Sequence, residues 1–257
     1  MHDSIDLGYI DSLDFKVNGY KVEWEFLNEE IDISEIHLKK PLNPGDSIVI
    51  TTPFRVKIPS GKFSRLGHIG QSYQITQWFA KPAVFDKNGW HPMSYLDQGE
   101  FYSEFGNYDV SITVPKNYIL MATGDLQNAE ELDFLNKKAE ITSQLIKENR
   151  LPVRDSFGRK DMSFPKSSTE KKTLRFVQKN VHDFAWFTDK RYHVLKGELD
   201  LNNRKITSWA LFTNNEAKLW RRSIEYINDA TRYFSKWVGE YPYNHVTSRI
   251  FFKIGYI

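Results

Sequence analysis

The sequence predicts a mainly β protein that turns helical toward its end, and three observations carry that reading. The clearest run, Tyr108, Val110, Ile112 and Val114, alternates with polar residues until Pro115 stops it, which is the period of a half-buried strand. Aromatic residues make up 15% of the 257, and many alternate with Val and Ile, as strands packed on one face require. Apolar residues recur at a spacing near 3.6 in only two places, Leu132 to Leu145 and Trp220 to Trp237.

Taken in order, Asp14 to Phe26 reads as a hairpin. Asn18-Gly19 supplies the two positive-φ positions of a tight turn, flanked by Phe15 and Val17 and by Val22, Trp24 and Phe26. A strand follows from Ile31 to Leu38, then a Pro41 to Gly45 turn and strands at Ser47 to Ile50 and Phe54 to Ile58. Ser60 to Gly70 is a loop, Tyr73 to Trp78 is extended, and Lys81 to Pro92 is aromatic and turn-rich. Ile119 to Ala122 reads as the neighbour of the Tyr108 to Val114 strand, with Thr123-Gly124 turning out of it.

Asn128-Ala-Glu-Glu131 resembles a capping box and opens a helix carrying Leu132, Leu135, Ala139, Thr142 and Leu145, which ends before Pro152. The polar, basic stretch from Arg150 to Lys172 is broken by Gly158 and Pro165, so 128–172 reads as a helix and loop inserted between strands. Strands return at Leu174 to Phe176, Phe184 to Phe187, Tyr192 to Leu195 and Lys205 to Phe212, with Asn202-Asn203 turning the last pair. Asn214 caps the longest helix, Glu216 to Val238. Its apolar positions are Trp220, Ile224, Ile227, Ala230, Phe234 and Trp237, and Gly239 with Pro242 ends it.

Composition narrows the function. The formal net charge is +2, so nothing global points to nucleic acid or an anionic membrane. A local excess lies between Lys137 and Phe176, eleven Lys/Arg against five Asp/Glu, and reads as a solvated insertion in preference to a binding patch. The absence of cysteine removes disulfides, thiolate metal sites and a cysteine nucleophile. No apolar run approaches the ~18 residues a membrane span needs, and the start, Met1 to Asp6, has neither the basic nor the apolar stretch of a signal peptide.

A search for chemistry finds few sites. His-Glu-x-x-His, the nucleophile elbow and the phosphate loop are all missing, so the residues offer neither metal ligands nor a catalytic set. His182-Asp183 is the nearest thing to a site, but neighbours on a strand point to opposite faces, which favours a structural role over a metal. His91, between Trp90 and Pro92, reads as a packed loop residue with its ring hydrogen-bonded. Trp78, Phe79, Phe85, Trp90, Tyr95, Phe101, Tyr102 and Phe105 are either a platform for glycans or peptides or the filling between two sheets, with filling favoured.

Four blocks then fall in a telling order. The most specific is Tyr73-Gln-Ile-Thr-Gln77-Trp-Phe-Ala-Lys-Pro-Ala-Val-Phe-Asp-Lys-Asn-Gly-Trp-His91, continued by Gly99 to Pro115. Val181-His-Asp-Phe-Ala-Trp186 and Tyr233 to Tyr243 are the third and fourth. Together they resemble the Bacteroidetes-type branch of the M1, aminopeptidase N-like, zinc metallopeptidases. The resemblance implies a saddle-like antiparallel β-sandwich domain over 1–213, lacking its first strands and carrying the 128–172 insertion. Residues 214–257 are then the first helix and truncated start of an α-rich thermolysin-like catalytic domain.

The functional implications of the resemblance are equally specific. In this family the zinc ligands and exopeptidase loop belong to the catalytic domain, so the resemblance implies zinc in the full-length parent, none held by this chain, and no peptide hydrolysis by the chain alone. It also implies a gene fragment, split frame or degraded copy whose partners are the missing catalytic domain and a peptide substrate. Family members of this branch are often exported. By family position, Gln77 is the Gln of this strand and Phe79, two residues on, stands where the family binds the substrate's free amino terminus; Phe79 cannot accept a hydrogen bond from an ammonium group, so the role falls to Gln77 or a nearby carbonyl, the alternative being that both residues simply belong to the sheet. The rival readings are a free-standing β-sandwich module binding peptides or glycans through the aromatic cluster, and an unrelated enzyme built on His182 and Asp183.

Overall fold

The computed structural model describes residues 7–27, 30–61, 65–94, 101–152, 161–202 and 204–249. Tyr95, Gly158, Asn203 and the stretch after Arg249 lie outside them. The chain divides into two compact units, one of Met1–Ser60 with Gln77–Phe105 and one of Gly61–Thr76 with Gly106–Ile257.

The first unit is built from short antiparallel pairs. Strands β1 (Tyr9–Asp11) and β7 (Arg55–Lys57) pair, β2 (Lys16–Val17) lies between β3 (Tyr20–Lys21) and β6 (Ile50–Thr51), and β4 (Trp24–Leu27) pairs with β5 (Glu30–Ile36). Asn18 and Gly19 take φ of 49° and 85°, the two left-handed positions the hairpin turn requires. Phe15 is buried and packs edge-on against Trp24 at 5.2 Å. A further hairpin, β10 (Val84–Asp86) and β11 (Gly89–His91), occupies the aromatic stretch; its signal is Asp86-Lys-Asn-Gly89, with Gly89 at φ 101°.

Among its described residues the second unit holds three sheets. One runs β13 (Ile119–Ala122), β16 (Trp186–Asp189), β9 (Ser72–Ile75), β8 (Gly67–Ile69), all antiparallel. Another sets β15 (Lys171–Val181) between β12 (Gly106–Pro115) and β14 (Asp125–Leu126). The alternation of Tyr108 to Val114 is thus a strand as predicted, but its neighbour is β15. Ile119 to Ala122 joins the other sheet, where all four residues are buried, because a strand apolar at every position needs cover on both faces.

The third sheet is mixed. β17 (His193–Leu201) pairs antiparallel with β18 (Arg204–Phe212), and β18 pairs in parallel with β19 (His245–Arg249), a strand the sequence reading lacked. Helix α1 (Ala129–Lys147) sends Leu135 and Ala139 against Val194, Trp209 and Leu211. Helices α2 (Ala217–Trp220) and α3 (Ser223–Trp237) pack through Ala217, Trp220, Ile224 and Ile227 against Leu195, Ala210 and Phe212. Neighbouring residues of β18 therefore meet helices on opposite faces, which explains why Trp209 to Phe212 is continuously apolar. Gly197 lets α3 approach β17, since a methyl there would overlap Ile224. β19 is held by the buried Arg249, which hydrogen-bonds Gln74 and lies 4.1 Å from the Phe187 ring centroid.

Local details depart from the sequence reading. Asn128 does precede α1, but its side chain makes no capping bond; Oδ1 accepts from the Arg175 amide at 2.8 Å, and Glu131 pairs with Lys172 at 2.5 Å. The Glu216 to Val238 helix is interrupted at Arg221 and Arg222. Asn214 Oδ1 accepts from His193 Nε2 at 2.6 Å in place of capping it. On α3, Ile227 is buried, yet Phe234 is 63% and Trp237 70% exposed. Part of the basic excess around α1 is met by carboxylates outside the segment, in the pairs Lys172–Glu131 and Arg175–Asp109.

Candidate substrate-binding site

Gln77 follows directly after β9 and Thr76 and takes φ of 51°. Six described non-glycine residues share that left-handed conformation, and four of them are Asn, whose short amide tolerates it. Gln has no such advantage, so the conformation is imposed on it. Its side-chain Oε1 is buried and accepts no hydrogen bond from the described residues. A buried amide oxygen without a donor is uncommon in folded proteins and calls for an explanation.

Phe79, the other residue expected here, is half-buried and packs edge-on to Trp78 at 5.3 Å, while Trp78 meets Phe54 at 5.9 Å. The Lys81 ammonium lies 5.9 Å from the Phe79 ring centroid and 5.3 Å from that of Phe101. The segment thus presents a neutral acceptor followed by a cluster of rings with a cation among them.

The rest of the aromatic stretch does not fill a core. Phe85 and Trp90 pair across the β10–β11 hairpin with centroids 5.0 Å apart and are 65% and 67% exposed; Tyr102 and Phe105 are exposed too. A lone hairpin has no second layer to cover its outer face. His91 is hydrogen-bonded as anticipated, through Nε2 to Asp86 Oδ1 at 2.8 Å, although it stands on a strand and not in a loop. That bond, with the Asn88 amide, holds the Asp86 carboxyl below its usual range.

His182 and Asp183 lie in the turn between β15 and β16, so the strand geometry assumed for them does not apply. Asp183 Oδ1 accepts from the following amide, Phe184 N, at 2.8 Å, a turn-forming role. A cavity of about 240 Å³ in the second unit, unforeseen from sequence, is lined by Met121, Phe187, Tyr241, Tyr243, His245 and Thr247 among others. Its polar groups serve the fold. Tyr241 donates to the His245 carbonyl, Tyr243 to that of Asn180, and His245 Nε2 lies 2.7 Å from the Gly124 carbonyl. Burial pushes Tyr241 up to about 12, out of reach of acid–base work near neutrality.

Zinc needs three or more His, Cys, Asp or Glu side chains converging on a point. Among the described residues no such group exists; histidines meet carboxylates in contacts such as His91–Asp86 and His245–Asp125, the latter at 3.9 Å. The described residues do not fit the metal.

No known family profile matches the sequence, and no curated protein matches it. Solved structures do. A mutant of a two-domain M1 zinc metallopeptidase bound to L-arginine superposes with a TM-score of 0.50 at 14% identity, covering 95% of this chain and 47% of its own. The M1 zinc metallopeptidase from Deinococcus radiodurans gives 0.47 at 15% identity, covering 94% and 46%. The chain spans about half the length of these structures. At such identity the likeness is one of fold: over most of its length, this β-rich chain with few helices shares the fold of a two-domain M1 zinc metallopeptidase.

Proposed function

We propose that this chain is the β-rich, non-catalytic portion of an M1-like zinc aminopeptidase of the Bacteroidetes-type branch, forming one wall of a peptide cleft through Gln77 and Phe79. The observation that carries the reading is the fold match, which takes in 95% of this chain but 47% of its counterpart. The division into 1–213 as the β-domain and 214–257 as the start of the catalytic domain belongs to the same proposal. So does the missing catalytic domain as partner, supplying zinc and covering Phe234 and Trp237 on α3, whose exposure fits an absent neighbour.

The test is to purify the chain and measure zinc content and peptidase turnover together. The reading expects neither stoichiometric zinc nor turnover; both appearing in the same preparation would sink it.

A second reading rests on the exposed Phe85–Trp90 pair, which suits a platform stacking on glycans or peptides. Titration with oligosaccharides and peptides, followed by tryptophan fluorescence, decides it. An unchanged response in Trp90→Ala removes it.

A further inference from the structure

We infer that two copies of this chain associate through the outer face of α3, packed antiparallel about a two-fold axis. The inference is independent of the peptidase reading. The catalytic domain proposed above would contend for the same face, so the pair belongs to the chain on its own.

The helix has two faces. Ile227 and Thr231 are buried toward the sheet, and Asn228 joins them there, accepting from Ser208 and donating to the Glu198 carbonyl at 3.1 Å. On the opposite side Tyr226, Ala230, Tyr233 and Trp237 recur at intervals of four, three and four, the spacing of a seam between two helices. All four are exposed, the three aromatic residues by more than half, and Tyr233 and Trp237 stack with centroids 5.3 Å apart. A helix already anchored by its other face has no element of the described sheet left to cover this stripe.

Charge selects the occupant and its direction. Along one edge of the stripe stand Asp229 and Lys236, seven residues apart and both exposed; along the other stands the exposed Phe234. In a parallel pair the charged edge of each helix faces the apolar edge of the other, whereas in an antiparallel pair like edges meet. The antiparallel register that sets Tyr226 against Trp237 of the second copy also sets Ala230 against its Tyr233, small against large. The same register brings Asp229 beside Lys236 of the second copy, twice over by symmetry. Asp229 accepts from Arg232 at 2.8 Å through Oδ1, which leaves Oδ2 for the incoming ammonium. An enclosed aromatic side chain buries roughly 150–250 Å², so four that are more than half exposed, Phe234 included, bring the pair to about the 1,000 Å² that a specific interface needs.

The experiment is sedimentation equilibrium of the full chain from about 1 to 100 μM, where an interface at the small end of the specific range associates. A dimer forming within that range is expected, and Trp237→Ala is expected to weaken it by about tenfold or more. Asp229→Lys sets lysine beside lysine and Lys236→Asp sets aspartate beside aspartate, so each alone is expected to weaken the dimer by about tenfold. An equimolar mixture of those two variants is expected to regain the native affinity, because every edge pair in the mixed dimer again joins opposite charges. All three positions are exposed, so melting curves matching the native chain establish that the variants fold. A monomer throughout the range overturns the pairing and leaves the face to a catalytic domain or to another segment of this chain. A dimer indifferent to Trp237→Ala overturns the choice of face, and a mixture no tighter than its parts overturns the antiparallel arrangement.

Discussion

The two units spend similar residue types in opposite ways. In the second, Phe176, Phe184, Phe212, Leu135 and Leu199 are fully enclosed; in the first, Phe15 and Val84 are the buried apolar residues among those described, while Phe26, Ile31, Phe85, Trp90 and Phe105 meet solvent. The cause is layering. A strand pair can hide one face only if another element lies on it, and α1, α2 and α3 do this for β17 and β18, whereas the hairpins of the first unit have no helix among the described residues. Apolar composition is therefore a poor guide to where the core lies. The supply of covering elements decides it.

The contrast breaks first at the core. Phe212→Ala is expected to cost about 3–5 kcal/mol in urea denaturation, and Trp90→Ala to stay within about 0.5 kcal/mol; equal costs would end the comparison. Next comes Arg191. It grips Asp189 through Nε and Nη2 at 3.0 and 2.7 Å, donates to the Asp161 carbonyl and lies 3.7 Å from the Phe164 ring centroid. Arg191→Met leaves the fully buried Asp189 without that countercharge and is expected to cost about 3 kcal/mol; a loss no larger than a surface change would show the pair to be ornamental.

Smaller effects sharpen the same point through pH. Burial lowers the pKa of His193 despite its hydrogen bond to Asn214, and Lys138 adds repulsion. The unfolded chain then binds the proton more readily, so stability is full above about 6.5 and falls as the solution is acidified below it. His193→Phe should flatten that slope in melting curves taken at successive pH values. Tyr241 works at the other end. With its pKa pushed up to about 12, its contribution is intact below about 10 and lost as pH rises between the two values, visible as delayed tyrosinate absorbance. Tyr241→Phe should remove the delayed phase.

Much of the fold was legible because it is local. Asn18-Gly19 dictates a turn by backbone sterics, and the Tyr108 to Val114 alternation dictates a strand with a buried face. Pairing was not legible: β12 lies against β15, far along the chain, and nothing in Ile119 to Ala122 says it belongs to another sheet. The capping-box pattern placed the start of α1 but misassigned the bonds, since Asn128 and Glu131 found better partners in β15. For the candidate site, sequence position drew attention to Gln77 and Phe79, but the left-handed backbone and the unmet Oε1 of Gln77 carry no sequence signal.

By itself, then, the sequence determined turns, strand and helix periods and the absence of a cysteine-based site, because these depend on neighbouring residues and composition. Only the tertiary structure decided which apolar faces are covered, which strands pair, and which polar atom is buried without a partner. Each of those depends on contacts between residues far apart in the chain, whose energies no local window contains.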